Sequence, residues 1–92
     1  MDSLLKRQLI ISNKRGLHAR ASAKFVQTVE SFDAVVEVEK DGQTVGGNSI
    51  MGLMMLAASQ GSHIDVTAQG KEASEVLNAL EKLVNNKFDE ES

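Results

Sequence analysis

The sequence predicts an α+β open-faced sandwich, with a four-stranded, mostly antiparallel sheet covered on one side by three helices in the order βαββαβα. Three observations carry that expectation. Apolar residues recur with a period near 2 in four segments and near 3.6 in three others. Asp41-Gly42 sits between two β-prone runs, where a tight hairpin turn needs residues that accept positive φ. Each segment carries a single apolar face or stripe, so one covered sheet buries them all.

Gln8-Leu9-Ile10-Ile11-Ser12 reads as the first strand, and Asn13 to Gly16 as a polar loop. From His18 the period lengthens: Ser22, Phe25, Val26, Val29 and Phe32 share one helical face, and the helix is expected to end near Ser31. Ala34 to Glu39 alternates as a half-buried strand, and Gln43-Thr44-Val45 returns antiparallel. Asn48 or Ser49 caps a second, short helix running to about Ser59, with Gly61 as its stop and Ile50, Leu53, Leu56 and Ala57 as its core stripe. Ser62 to Gln69 alternates cleanly, with Ile64, Val66 and Ala68 on one face. Ala73, Val76, Leu77, Leu80, Leu83 and Val84 form the stripe of the last helix. The 92 residues read as a single domain (1–92) with its core at about 8–86 and a frayed acidic end at 88–92.

Composition narrows the function classes. A formal charge of −3, scattered basic residues and three phenylalanines as the sole aromatics argue against a nucleic-acid partner. No cysteine means no disulfide scaffold and no thiolate nucleophile. The apolar runs are too short to insert in a membrane, and Met1-Asp2-Ser3 leads into no signal-peptide core, so a cytoplasmic location is expected. A monomer is expected, because one short apolar patch is small for an obligate interface.

The chemistry concentrates at Arg15-Gly16-Leu17-His18-Ala19-Arg20. A helix start exposes unpaired N–H groups and partial positive charge, and so holds anions. No second ligand stands at helical spacing from His18, which leaves no metal site. An imidazole beside the free N–H groups of Ala19 and Arg20 is suited to carry a phosphoryl group, with the Arg20 guanidinium steadying it. Taken by itself, however, a histidine at a helix start is also an ordinary surface residue. A second feature is the segment Asn48 to Leu56, which has more apolar residues than one buried face can use. Some of Met51, Met54 and Met55 are then expected to be exposed or at an edge, as a soft docking surface.

Gly16-Leu17-His18-Ala19-Arg20, followed by Phe25-Val26, resembles the phosphorylation motif of HPr, the histidine-containing phosphocarrier family of the phosphoenolpyruvate-dependent phosphotransferase system. The resemblance runs from about Leu9 to Leu83 and implies an HPr-like fold. It implies a phosphoryl group, derived from phosphoenolpyruvate with no further cofactor, received from phosphorylated enzyme I on the δ1 nitrogen of His18 and passed to EIIA-type acceptors. Such a protein is a relay intermediate rather than an enzyme with its own turnover. Leu17, Ala19, Arg20, Lys24, Ile50, Met51 and Met54 are the expected docking residues, although Lys24 also suits a solvated face. Ser49-Ile50-Met51-Gly52 resembles the regulatory-serine region that HPr kinase/phosphorylase modifies, which makes Ser49 both cap and candidate phosphorylation site. Two departures stand out: Ala21 replaces the usual proline, and Arg15 stands where a small polar residue is common. The alternatives are a nitrogen-type regulatory carrier whose acceptors are signalling proteins, and a binding module in which His18 only contacts an anion.

Overall fold

Four strands and three helices alternate through the computed structural model, which describes residues 4–92. They are β1 (Leu4–Ile10), α1 (Ala19–Glu30), β2 (Val35–Lys40), β3 (Gln43–Gly46), α2 (Ile50–Met55), β4 (His63–Gln69) and α3 (Ala73–Asn85). The sheet order is β1-β4-β2-β3, and every neighbouring pair is antiparallel. β4 therefore slots between β1 and β2, facing Arg7 with Val66 on one side and Val38 with Val66 on the other. The expected sandwich is what the chain forms.

Alternation decides which face is covered. Ile64, Val66 and Ala68 of β4 are fully buried with Val36 and Val38 of β2, while Glu37, Asp65 and Thr67 point to the open face. The α1 stripe of Ala21, Phe25, Val26 and Val29 and the α3 stripe of Val76, Leu77, Leu80 and Val84 pack onto that apolar side. Ser22 is buried on the same stripe and returns its hydroxyl to the Leu17 carbonyl at 3.3 Å. At the hairpin, Asp41 and Gly42 have φ of 53° and 82°, both positive as a type I′ turn requires.

Several expectations need correction. β1 starts at Leu4 instead of Gln8, because β4 offers pairing partners out to Gln69 opposite Leu4. α2 ends at Met55, with Ala57 at φ 53° taking the left-handed position assigned to Gly61. Ile50 and Ala57 are exposed, and Ala58 fills the core in their place.

The largest correction concerns the acidic end, which does not fray. Lys87, Phe88 and Asp89 turn the chain through three successive positive φ values of 57°, 54° and 63°. That turn drives Phe88 fully into the core. The Lys24 ammonium donates to the Phe88 carbonyl at 2.8 Å and lies 3.6 Å from the Asp89 carboxylate. A large aromatic in a sequence of charges finds the core because burying it is worth about 1.5–3 kcal/mol. Phe88→Ala is expected to lower the unfolding free energy by about 3 kcal/mol in urea titration; a loss under about 0.5 kcal/mol would mean the tail contributes nothing to the core.

Candidate phosphoryl-carrying site

The loop between β1 and α1 is built to deliver one imidazole. Ile11 pairs with the far loop through Ile11 N–H to Ser62 O (2.9 Å) and Gly61 N–H to Ile11 O (2.7 Å). Gly16 then passes so close to the backbone at Ala58 that a Cβ would stand 2.3 Å from the Ala58 carbonyl oxygen. Its φ of 68° is a second reason for glycine here. The next N–H, from Leu17, donates to that same carbonyl at 2.9 Å. Leu17 drops into the core, which corrects its expected docking role.

His18 follows as the N-cap of α1, with φ −75° and ψ −178°. Its carbonyl accepts from Ser22 N–H at 2.9 Å, which starts the helix. The ring replaces the usual Ser or Asp cap: Nδ1 accepts from the Arg20 backbone N–H at 3.2 Å. Ala19 and Arg20 are exposed beside it, as their expected roles require. Ala21, where the resemblance leads one to expect proline, is fully buried without disturbing the helix start.

The other edge of the ring meets the C-terminal tail. His18 Nε2 pairs with the Glu90 carboxylate, and both side chains are only 15% exposed. The other Glu90 oxygen accepts from Asn13 Nδ2 at 3.1 Å. Asn13 is fully buried and donates also to the Gly16 carbonyl at 2.9 Å, so one amide ties the loop to the tail. Next to this arrangement lies a cleft of about 350 Å³ lined by Arg15, Arg20, Lys24, Asp89, Glu90, Glu91 and Ser92. Three cations thus face the acidic tail. Lys24, expected to dock a partner or solvate a face, holds the tail instead.

Burial alone would raise the Glu90 carboxyl. The hydrogen bonds from Asn13 and His18, together with the charges of His18 and Arg15, outweigh it and hold the group below the usual carboxylate range. No grouping of His, Cys, Asp and Glu suited to a metal ion occurs among the described residues.

Ser49 caps α2, its Oγ accepting from Gly52 N–H at 2.9 Å. Ile50, Met51, Met54 and Met55 are 41%, 71%, 42% and 64% exposed, four apolar side chains open to solvent on a six-residue helix. The exposure expected among Met51, Met54 and Met55 is therefore present, and Ile50, expected in the core stripe, extends it.

Asn13 and Glu90 are the participants that sequence reasoning missed. Neither shows a period or a motif: Glu90 lies in an acidic run that reads as solvated, 72 residues from its partner.

A helix-capping imidazole among cations on this sandwich defines a class, the histidine phosphocarriers. The model of the family described as PTS HPr component phosphorylation site matches residues 5–86. The phosphocarrier protein HPr of Neisseria meningitidis serogroup A is 48% identical over 87 residues, covering 95% of this chain and 98% of that protein. The HPr of Pseudomonas aeruginosa is 45% identical over 84 residues, covering 90% and 93%. Among solved structures, HPr-C-His of Thermoanaerobacter tengcongensis superposes with a TM-score of 0.91 at 43% identity, covering 96% of this chain and 99% of that one. The HPr of Bacillus anthracis superposes at 0.85 and 44% identity, covering 89% and 98%. The chain belongs to the HPr family of phosphocarrier proteins of the phosphotransferase system. No helix among the described residues is long and apolar enough to cross a membrane.

Two measurements test this geometry. Gly16→Ala must relieve both a clash and a left-handed φ, so it is expected to cost more than about 1 kcal/mol by urea unfolding and to shift the His18 ring resonances. An unshifted, equally stable variant would refute the close approach. The lowered Glu90 carboxyl sets the sign of a pH effect: its contribution is present above the ordinary carboxyl range and lost as pH falls through its folded value. The stability gap between wild type and Glu90→Gln is therefore expected to shrink on acidification; a gap independent of pH would contradict the shift.

Proposed function

We propose that His18 is the phosphoryl acceptor, taking the group from phosphorylated enzyme I on Nδ1 and passing it to a histidine of EIIA-type acceptors in the cytoplasm. The observation that supports this most directly is the position of Nδ1, at the N-terminus of a twelve-residue helix and within 3.2 Å of a backbone N–H. Nδ1 attacks phosphorus as the bond to the donor breaks. The incoming oxygens then find N–H groups of the first turn, the positive end of the helix and the Arg20 guanidinium. Phosphoenolpyruvate supplies the phosphoryl group through enzyme I, and no other cofactor enters.

Docking falls to exposed groups around α1 and α2: Ala19, Arg20, Ile50, Met51 and Met54. Methionine adapts to differently shaped partners, which suits one carrier serving a donor and several acceptors. Ser49 is the proposed site of a regulatory kinase of the HPr kinase/phosphorylase type. A phosphate there is compatible with a helix N-terminus, but it sets two negative charges beside an apolar surface that must desolvate on docking. Control would therefore act on association.

Incubation with phosphoenolpyruvate and enzyme I is expected to give an acid-labile, alkali-stable phosphate that is absent in His18→Ala. No label, with an enzyme I active on another carrier, would overturn the reading. Arg20→Ala is expected to slow transfer about tenfold or more, the value of one charge-assisted contact, while folding normally. Ser49→Asp is expected to weaken partner affinity with His18 chemistry intact, and equal affinity would refute control through docking.

A further inference from the structure

We propose that Glu90 is a positioning residue for His18, holding the imidazole as its Nε2–H tautomer so that the lone pair stays on Nδ1 at the start of α1. The inference rests on the phosphocarrier reading of His18 and gives the tail a part in it.

The ring has two partners, and both demand the same tautomer. A backbone N–H can only donate, so the Arg20 contact requires an acceptor at Nδ1. A neutral imidazole has a single N–H, which must then be on Nε2. Nε2 faces a Glu90 oxygen, and an ionised carboxylate only accepts. The lowered carboxyl keeps Glu90 in that ionised form.

Glu90 is itself held by contacts unrelated to the ring. Its second oxygen takes the Asn13 amide at 3.1 Å, and its backbone N–H donates to Lys87 O at 2.9 Å. Phe88, two residues earlier, is buried in the core, and Lys24 grips the Phe88 carbonyl. The carboxylate thus reaches His18 on a fixed arm. Arg15, Arg20, Lys24, Asp89 and Glu91 are the other charges around the cleft.

In the transfer, the Nδ1 lone pair forms the bond to phosphorus. The bond from phosphorus to the donor nitrogen breaks, and its electron pair stays on that nitrogen. His18 keeps its Nε2 proton and becomes a phosphorylated imidazolium, whose positive charge lies against Glu90. In the onward step the N–P pair returns to Nδ1 and a neutral imidazole leaves. Removing Glu90 frees the proton to move to Nδ1, where it blocks the attack.

The test uses the full chain with ¹⁵N-labelled histidines. Ring ¹H–¹⁵N correlation spectra are recorded for wild type, Glu90→Gln and Glu90→Ala, with exposed His63 as the internal reference. Wild-type His18 is expected as the Nε2–H tautomer alone. Glu90→Gln, whose amide oxygen still accepts, is expected to keep it, whereas Glu90→Ala shows both tautomers with His63 unchanged. Phosphoryl uptake is expected to fall about tenfold in Glu90→Ala, the scale on which partners of an oriented histidine act, and to recover largely in Glu90→Gln. An Nδ1–H tautomer in wild type, an unaltered ring signature in Glu90→Ala, or mixed tautomers with unchanged uptake would each overturn the proposal. The ring signature is read on unphosphorylated protein. A wild type that took up no label would therefore count against the phosphocarrier reading, while the tautomer result would stand.

Discussion

The near-contact between the Gly16 backbone and the Ala58 carbonyl is the constraint on which the site depends. A single methyl group at residue 16 would stand 2.3 Å from that oxygen, far inside any real carbon–oxygen contact. Because the methyl is missing, the next N–H reaches the same carbonyl, Leu17 turns inward and His18 becomes the cap. The His18 ring is thus oriented by a contact between two loops 42 residues apart, rather than by the propensity of its own helix. An N-cap is normally a local matter of one side chain and one turn. Here the cap residue is the proposed phosphoryl carrier, and the loop before it is held from outside.

The tail supplies a second restraint, close to energetic balance. Three non-glycine residues in left-handed conformations cost roughly 1–2 kcal/mol each. Burying Phe88 returns about 1.5–3 kcal/mol, and a hydrogen bond from a charged donor such as Lys24 about 1.5–3 kcal/mol more. The sums are nearly equal, so the extra contacts of Glu90 with His18 and Asn13 decide whether the tail stays down. A partner drawing on the same cations competes with Asp89 and Glu90 for them.

What was legible in the sequence follows from range. Periods of 2 and 3.6 are local, and they placed β2, β3, β4, α1 and α3 within a residue or two. The Asp41-Gly42 turn was equally local, since both residues must accept positive φ. His18 as a helix-capping residue was readable for the same reason. The errors arise where distant residues decide: Leu4 pairs because Gln69 stands opposite, and Ala57 takes the left-handed position although glycine lay four residues on. Ile50 belongs to a six-residue helix, too short for its stripe to predict which side is covered. Phe88 and Glu90 were hidden altogether. A lone aromatic among charges has no period, and an acidic run reads as solvent-facing unless the cations it meets are known to be near.

In the proposed reading, the two capped helices separate chemistry from control. The His18 ring draws its contacts from the Arg20 backbone and the Glu90 carboxylate, which Asn13 holds in turn, and none of these lies on α2. The Ser49 hydroxyl bonds within its own first turn, accepting from Gly52 N–H. No hydrogen bond or ion pair among the described residues joins the two sites, so charge added at Ser49 has no polar wire to the ring. What they share is the packing of α1 against α2, and in the proposed reading a partner that reaches His18 also covers Met51 and Met54. Coupling through such a surface needs no conformational change. A phosphate beside those methionines makes their desolvation costly to any partner, while the imidazole, its tautomer and its helix end stay as they were.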